Sequence, residues 1–487
     1  MLKRNVLWWM LLFQLICNTF VTLNINIAIV SMTGTPSSTQ EEPKVHAAIC
    51  PNESFFLRDF LTTNELSSSN TQEGVIFDWS ESEKNIVLSG YHWLNYISIL
   101  PGGVLAHKFG SKIMAGYAQL ISSTMSSLIP IVATYGPLKV AWLRAVQGVL
   151  SFMSVPAALY TIIGKWAPPQ ERGKFGAALY SGSMAGTISG NVLFGYIAQY
   201  MNWVYVFHFT SICGIIWSIL WYTLIHDSPS QHPTITVEEK EYIESSLKGA
   251  TSSTKTRIPW KSILCSVPVI VTTLAANAYL WAWVMLSTYS PVYLKTIYGL
   301  DSNEIGIISS IPNIVVSILI FGIAYCIDFT LKRKLLNITT IRKMCAFLGT
   351  TLASIPIIII AFTKCDLTLV LICFIIHCIV RVSLPFGATL GIIDISPEFC
   401  GITEGLCGTS ASIKIFLFTC VVNYFTGILE IKKLWEMVFL YSTGYLIVAN
   451  LLYLIFGTSE VEAWNFTNHN EKRESEDIQD GKCEVAP

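Results

Sequence analysis

Charge is what this chain of 487 residues has least of: Lys, Arg, Asp and Glu make up 13% of it, against about 25% in a typical soluble domain. Beside 52% hydrophobic residues, that scarcity excludes an ordinary soluble globule and points to a polytopic membrane protein. The 31 basic and 32 acidic residues leave a net charge of -1, so no basic surplus suggests nucleic acid. The 13 cysteines are scattered, mostly through apolar segments, and Cys50 stands alone in the long polar loop. Neither a disulfide framework nor a metal-ligand spacing is expected from them. A membrane-face His-x4-Asp arrangement and a nucleophile elbow are both missing, which argues against an integral membrane enzyme such as an acyltransferase. No cleavable leader is expected either. Lys3 and Arg4 precede an apolar run from Val6 to Met32 that is too long, contains Asn24 and Asn26, and lacks a small-residue cleavage site.

What is present is a series of apolar runs, each of about 20 residues or more. They fall near 6–32, 84–107, 110–133, 138–164, 174–200 and 203–225, then near 266–290, 303–327, 343–363, 367–392, 401–427 and 433–457. The expected fold is therefore all-α and membrane-integral, with twelve transmembrane helices split six and six. The expected units are an N-terminal half over 1–225, a central loop over 226–262, a C-terminal half over 263–457 and a disordered tail over 458–487. The 367–392 and 401–427 runs are the least regular, because they hold Arg381 and Lys414.

Basic residues suggest the orientation. Lys3, Arg4, Lys108, Lys112, Lys165, Arg172 and Lys174 fall on one side, as does the run Lys332, Arg333, Lys334, Arg342, Lys343. Both termini are expected in the cytoplasm, with loop 33–83 outside and its sequon at Asn52 open to glycosylation. The sequons at Asn337 and Asn465 fall on the cytoplasmic side and are expected to stay bare. In the central loop, Thr236-Val-Glu-Glu239 has capping-box form and opens a short helix to about Leu247, with Tyr242, Ile243 and Leu247 on its inner face.

A second scarcity lies inside the runs, where cations outnumber carboxylates. Arg144 sits in the fourth run, with Gln147, Gly148 and Ser151 on its helical face. A guanidinium in hydrocarbon either pairs internally or meets an anionic ligand. Arg381 shares a face with His377 one turn away, and Pro385 follows as a kink site. Lys414 has Cys407 and Ala411 on its side; Glu404, ten residues earlier, is expected at the cytoplasmic end and not as its partner. His92, near Trp93 and Asn95, and His208 complete the inventory, with Tyr279, Trp281, Trp283 and Tyr289 as candidate aromatic walls. Gly103, Lys108 and Gly110 form a glycine-and-basic loop after the second run. Asp328 and Lys332–Lys334 repeat that basic loop in the second half, as a duplicated six-helix unit predicts.

Several stretches carry a resemblance. They are Leu100-Pro-Gly-Gly103, Arg144 with Gly148 and Pro156, and Lys165-Trp-Ala-Pro-Pro-Gln-Glu-Arg172. Asn202-Trp-Val-Tyr-Val-Phe207, Asp227-Ser-Pro-Ser-Gln-His-Pro-Thr-Ile-Thr236, Asp394-Ile-Ser-Pro397 and Glu460–Trp464 continue them. Across nearly the whole chain they resemble the major facilitator superfamily and, within it, the anion/cation symporters: sialin, the vesicular glutamate transporters and the sodium–phosphate cotransporters. The resemblance implies the major facilitator fold and alternating access around a central cavity, with Arg144 facing substrate. Pro156, Glu171, Arg172 and Asp328, with Gly103, Lys108 and Gly110, are read as gating and structural positions. The family's paired acidic positions match Gln147 and Ser151 here, neither of which titrates; its first-helix arginine matches Thr22, and a seventh-helix arginine of the glutamate carriers matches Tyr279.

The expectation is an anion carrier for phosphate or a carboxylate. Arg144, Arg381, His92, Asn95, Gln147, Tyr279, Trp281 and Lys414 are its candidate substrate residues. No cofactor or metal is expected, and Na+ or H+ are the possible coupling ions. A monomer in the plasma membrane or a lysosomal or vesicular membrane is expected. A potential-driven uniporter and a non-transporting sensor or scaffold remain as alternatives. For the sequon, Asn52→Gln is expected to abolish any gel-mobility shift produced by N-glycosidase treatment; an unchanged shift would place the glycan elsewhere.

Overall fold

The computed structural model describes residues 2–33, 77–247, 257–285, 289–300, 302–363, 365–426, 428 and 430–466. Asn52, most of the 33–83 loop and the tail beyond 466 lie outside the described residues, as do the side chains of Pro156 and Trp283.

In a bilayer every backbone N–H and C=O must be satisfied within the chain, so long apolar runs fold as helices. The first half holds α1 (Lys3–Met32), α2 (Glu81–Gly90 and Asn95–Phe109), α3 (Ser111–Ala133), α4 (Pro137–Trp166), α5 (Arg172–Tyr200) and α6 (Trp203–Leu224). The second holds α7 (Val267–Val284 and Ser290–Tyr298), α8 (Ser302–Lys332) and α9 (Ile338–Ala346 through Ala353–Phe362). It ends with α10 (Leu367–Arg381 and Ala388–Ile395), α11 (Cys400–Thr426) and α12 (Ile431–Phe456). Among the described residues, eight helices are individually long and apolar enough to cross a membrane. The shortfall from twelve has local causes. Helices α2 and α7 are broken into shorter pieces, while α3 buries Gln119, Ser122, Ser123 and Ser126, and α5 is rich in glycine and serine.

The breaks sit beside the cations. Helix α2 opens into a turn at Tyr91–Leu94, where the sequence suggested one continuous run. Helix α10 stops at Arg381, and a 3-10 turn over Leu384–Phe386 precedes its second piece. Pro385 explains that stop: it has no N–H, and its ring clashes with the carbonyl four residues earlier, which belongs to Arg381. Arg381 thereby ends a helix, where the unpaired carbonyls carry partial negative charge that favours a cation.

Small residues let the halves approach. A Cβ on Gly103 of α2 would collide with the Gly401 carbonyl of α11, so only glycine permits this crossing. Gly110 caps α2 with φ 102°, a left-handed value that disfavours other residues. Asp227 then caps the start of α3, accepting from the Lys112 N–H at 2.8 Å.

The segment between the halves forms the expected short helix, Val237–Leu247, with Ile243 and Leu247 buried and Tyr242 exposed. Only half of the capping box forms: the Glu239 N–H donates to the Thr236 hydroxyl at 3.3 Å. The Glu239 carboxylate instead accepts from the Lys3 and Arg4 backbone N–H groups at 3.0 and 3.1 Å, capping the N terminus of α1. The beginning of the tail is also held, against expectation. Glu462 N–H donates to the Ile395 carbonyl at 3.0 Å, and the side chain of Asn465, which is buried, accepts from the Glu398 N–H. Although no disulfide framework was expected, Cys365, in the α9–α10 connection, is disulfide-bonded.

Gly103→Val is expected to destabilise the protein by about 1–3 kcal/mol, the usual cost of overpacking, read as a lower unfolding temperature in detergent. An unchanged unfolding temperature would show that the α2–α11 crossing tolerates a side chain.

Candidate functional site

Polar contacts join the two halves at the end of the bundle that carries the N terminus. Asp394 of α10 accepts from Arg172 of α5 at 2.5 Å and from the Nε of Arg342 of α9 at 2.7 Å. All three side chains are at most 2% exposed. Glu171 gathers Arg4 at 3.0 Å and Lys332 at 3.9 Å, and Asp328 accepts from the Lys174 N–H at 3.0 Å, capping α5. Glu171, Arg172 and Asp328 thus sit in a latch between the halves. Lys108 does not: it is exposed, and its ammonium lies 5.5 Å over the ring of its neighbour Phe109.

Deeper in the first half, Arg144 is 1% exposed. It donates to the Val21 carbonyl at 2.6 Å, the Thr22 carbonyl at 2.9 Å, the Asn24 side chain at 3.3 Å and Gln147 at 3.4 Å. The Tyr91 ring lies 4.8 Å from its guanidinium carbon. Among the described residues no carboxylate pairs with it. In this conformation, however, Arg144 ties α1 to α4 through both terminal nitrogens, with only its Nε left without a hydrogen-bond partner. Gln147 is likewise consumed, donating to the Ser122 carbonyl at 2.9 Å and to the Ser126 hydroxyl at 3.1 Å. His92 is exposed at the α2 break, its ring 5.9 Å from Phe152 and within electrostatic reach of Arg144, while Asn95 is half-buried.

The second half keeps a cation freer. Arg381 is 5% exposed, its Nε has no hydrogen-bond partner, and no carboxylate pairs with it among the described residues. Tyr279 and His377 lie within its electrostatic reach. His377 itself is structural, its Nδ1 2.7 Å from the Ala353 carbonyl. Lys414 belongs to a separate group: its ammonium lies 3.5 Å from the Tyr445 ring centre and 4.9 Å from that of Trp281. It borders a cavity of about 480 Å3 lined by Ser410, Phe418, Phe425, Val438 and Tyr441. Trp281 is 1% exposed and packs on Phe418, so it supports Lys414 and walls no solute path. His208 is exposed on α6.

Glu404 was not among the expected site residues. It lies one turn into α11 from Cys400, where it is 7% exposed with Oε2 unpartnered. The signal was present: Gly401, Glu404, Gly405 and Gly408 follow i, i+3, i+4, i+7 spacing, and those glycines pack against α2 and α4. Tyr160 of α4 and Tyr180 of α5 lie within electrostatic reach of Glu404 and were also missed.

Two helical halves latched at one end, with ionisable side chains held at mid-bundle, define a membrane transporter and not an enzyme. The chain belongs to the major facilitator superfamily, whose sequence pattern matches residues 11–396. It is 28% identical over 451 residues to Sialin from Homo sapiens, covering 93% of this chain and 88% of that protein. It is 28% identical over 456 residues to Sodium-dependent phosphate transport protein 3 from Mus musculus, covering 91% of each. Vesicular glutamate transporter 3 from Danio rerio is 27% identical over 414 residues, 84% of this chain and 68% of that one. The solved structure of the proton:xylose symporter XylE bound to 6-bromo-6-deoxy-D-glucose superposes with a TM-score of 0.62 at 13% identity, covering 93% and 97% of the two chains. That likeness shows the fold.

Asp394→Asn leaves two buried guanidinium groups short of their counter-charge, and a broken buried pair typically costs about 3–5 kcal/mol. The variant is expected to unfold at lower temperature than the wild type in detergent. Equal stability would mean that water or headgroups already screen the cluster.

Proposed function

We propose that the chain is a secondary carrier of a small anion, a phosphate or a carboxylate, working by alternating access with ion coupling. The observation that carries this reading is Arg381: a buried guanidinium at a helix end, without a carboxylate partner among the described residues and beside Tyr279. A fixed positive charge in that setting asks for an anion, which Arg can hold through two parallel hydrogen bonds. The names of the relatives, which speak of phosphate and glutamate transport, support the same class.

Arg381 takes the anchoring role first expected of Arg144, which here secures α1 to α4. The latch at Asp394 closes the terminus-bearing end in this conformation, and its release is the step that exposes the site there. Both termini face the cytoplasm in this reading, as the basic loops suggest. The disulfide at Cys365 supports an oxidising compartment at the opposite end. A monomer in the plasma membrane or a vesicular membrane completes the proposal.

The test is uptake of phosphate, glutamate, sialic acid and urate in vesicles containing the purified protein. Arg381→Ala is expected to weaken anion affinity by about tenfold to a hundredfold, as loss of a charge-assisted hydrogen bond of about 1.5–3 kcal/mol implies. Arg381→Lys is expected to restore part of it. Uptake that is indifferent to both changes overturns the assignment; binding without flux for every anion would favour a non-transporting sensor.

A further inference from the structure

We propose that Glu404 carries the proton coupled to anion movement: its carboxyl is protonated while Arg381 holds an anion and ionised when the site is empty. This rests on the anion-carrier reading above and supplies its coupling ion.

The geometry isolates Glu404. It is 7% exposed, its Oε2 has no hydrogen-bond partner, and no lysine or arginine forms an ion pair with it among the described residues. From α4 and α5 it is faced by the phenols of Tyr160 and Tyr180. Helix α2 packs the apolar Ile99 and Leu100 on Gly408 and Gly405, and its titratable His107 lies nearer the helix end, its ring 5.2 Å from that of Phe399. Helix α7 offers Asn277, which accepts from the Cys407 thiol at 3.1 Å and donates to Ser410 at 2.9 Å. On α12, Tyr445 lies within reach of Cys407. On its own helix the titratable neighbours are Cys400, Cys407 and Lys414, the last about 15 Å further along at 1.5 Å per residue. An isolated carboxylate in such surroundings is costly, so the neutral acid is the form a closed bundle accommodates.

The same geometry links it to the anion. The Tyr160 and Tyr180 hydroxyls are 3.3 Å apart, and the Tyr180 and Tyr279 rings are 5.2 Å apart at 75°. Tyr279 in turn lies within electrostatic reach of Arg381. A file of three phenols from α4, α5 and α7 therefore runs from Glu404 to the cation, and it crosses from one half of the molecule to the other. An ionised Glu404 competes with a bound anion for the field of Arg381. A protonated Glu404 does not, so each binding event favours the other by the same factor. The proton comes from water on the side to which the site is open, bonds to a Glu404 carboxylate oxygen, and returns to water on the other side; no electrons move. The two polar positions on α4, Gln147 and Ser151, which cannot titrate, are not needed for this role.

The experiment compares two modes in vesicles holding the full chain: accumulation driven by an acid-outside pH gradient, and anion exchange without a gradient. Phosphate, glutamate and sialic acid are the probes. Glu404→Gln is expected to abolish accumulation above equilibrium while exchange persists, and Glu404→Asp to accumulate with a shifted pH profile. Arg381→Ala is expected to weaken the apparent anion affinity in both modes alike, so the failure of the carrier reading is seen separately, as exchange with unchanged affinity in Arg381→Ala. In parallel, the protonated-carboxyl C=O stretch is followed by infrared difference spectroscopy of the purified protein across pH. Its titrating component is expected to vanish in Glu404→Gln. Wild-type accumulation by Glu404→Gln, or an unchanged infrared titration, overturns the proposal.

Discussion

A charge inside a membrane bundle has to be answered, and Asp394 shows how this protein answers it at one end. Its carboxylate takes one hydrogen bond from each half, from Arg172 and from Arg342, and all three side chains are sealed from solvent. Neutralising part of two guanidinium groups with one carboxylate makes the contact strong only while it is dry and assembled. A junction of that kind suits a surface that must form and break as a unit. Around it, Glu171 and Asp328 fasten helix starts with weaker contacts that solvent can replace.

Deeper in the bundle the answers differ from cation to cation, and the differences sort their roles. Arg144 is met by the carbonyls of Val21 and Thr22, which serve as joints between α1 and α4. Lys414 is met by the faces of Trp281 and Tyr445, a solution that needs no carboxylate. Arg381 is met chiefly by the end of its own helix, cut short by Pro385, and retains donors that the protein does not engage. Glu404 is the mirror case, a buried acid that pairs with no cation among the described residues and is connected to Arg381 through tyrosines instead of contact.

The succession of helices was legible because hydrocarbon tolerates little but helix, so apolar length by itself decides secondary structure. The chain order of the twelve runs, the glycine at 103 and the importance of the fourth and tenth runs could all be read from the residues in line. Helix breaks were legible only where proline announces them, as at 385. The turn at Tyr91–Leu94 has no such mark and exists beside the ring-covered guanidinium of Arg144.

By itself, then, the sequence determined the helical membrane class and the two-half plan, since each depends on composition and local spacing; the expected surplus of cations is not found, because Asp328, Asp394, Glu398 and Glu404 are buried as well. Only the tertiary structure decided which cation meets the protein's own acceptors and which does not. It buried Glu404 without a cation partner among the described residues, made Asp394 the junction of two arginines lying 222 and 52 residues away in sequence, and bound the first residues of the tail to α10. The physical reason is that a polar group's state is set by what stands within a few ångströms of it. In a helical bundle those neighbours come from other helices, whose positions no local pattern encodes.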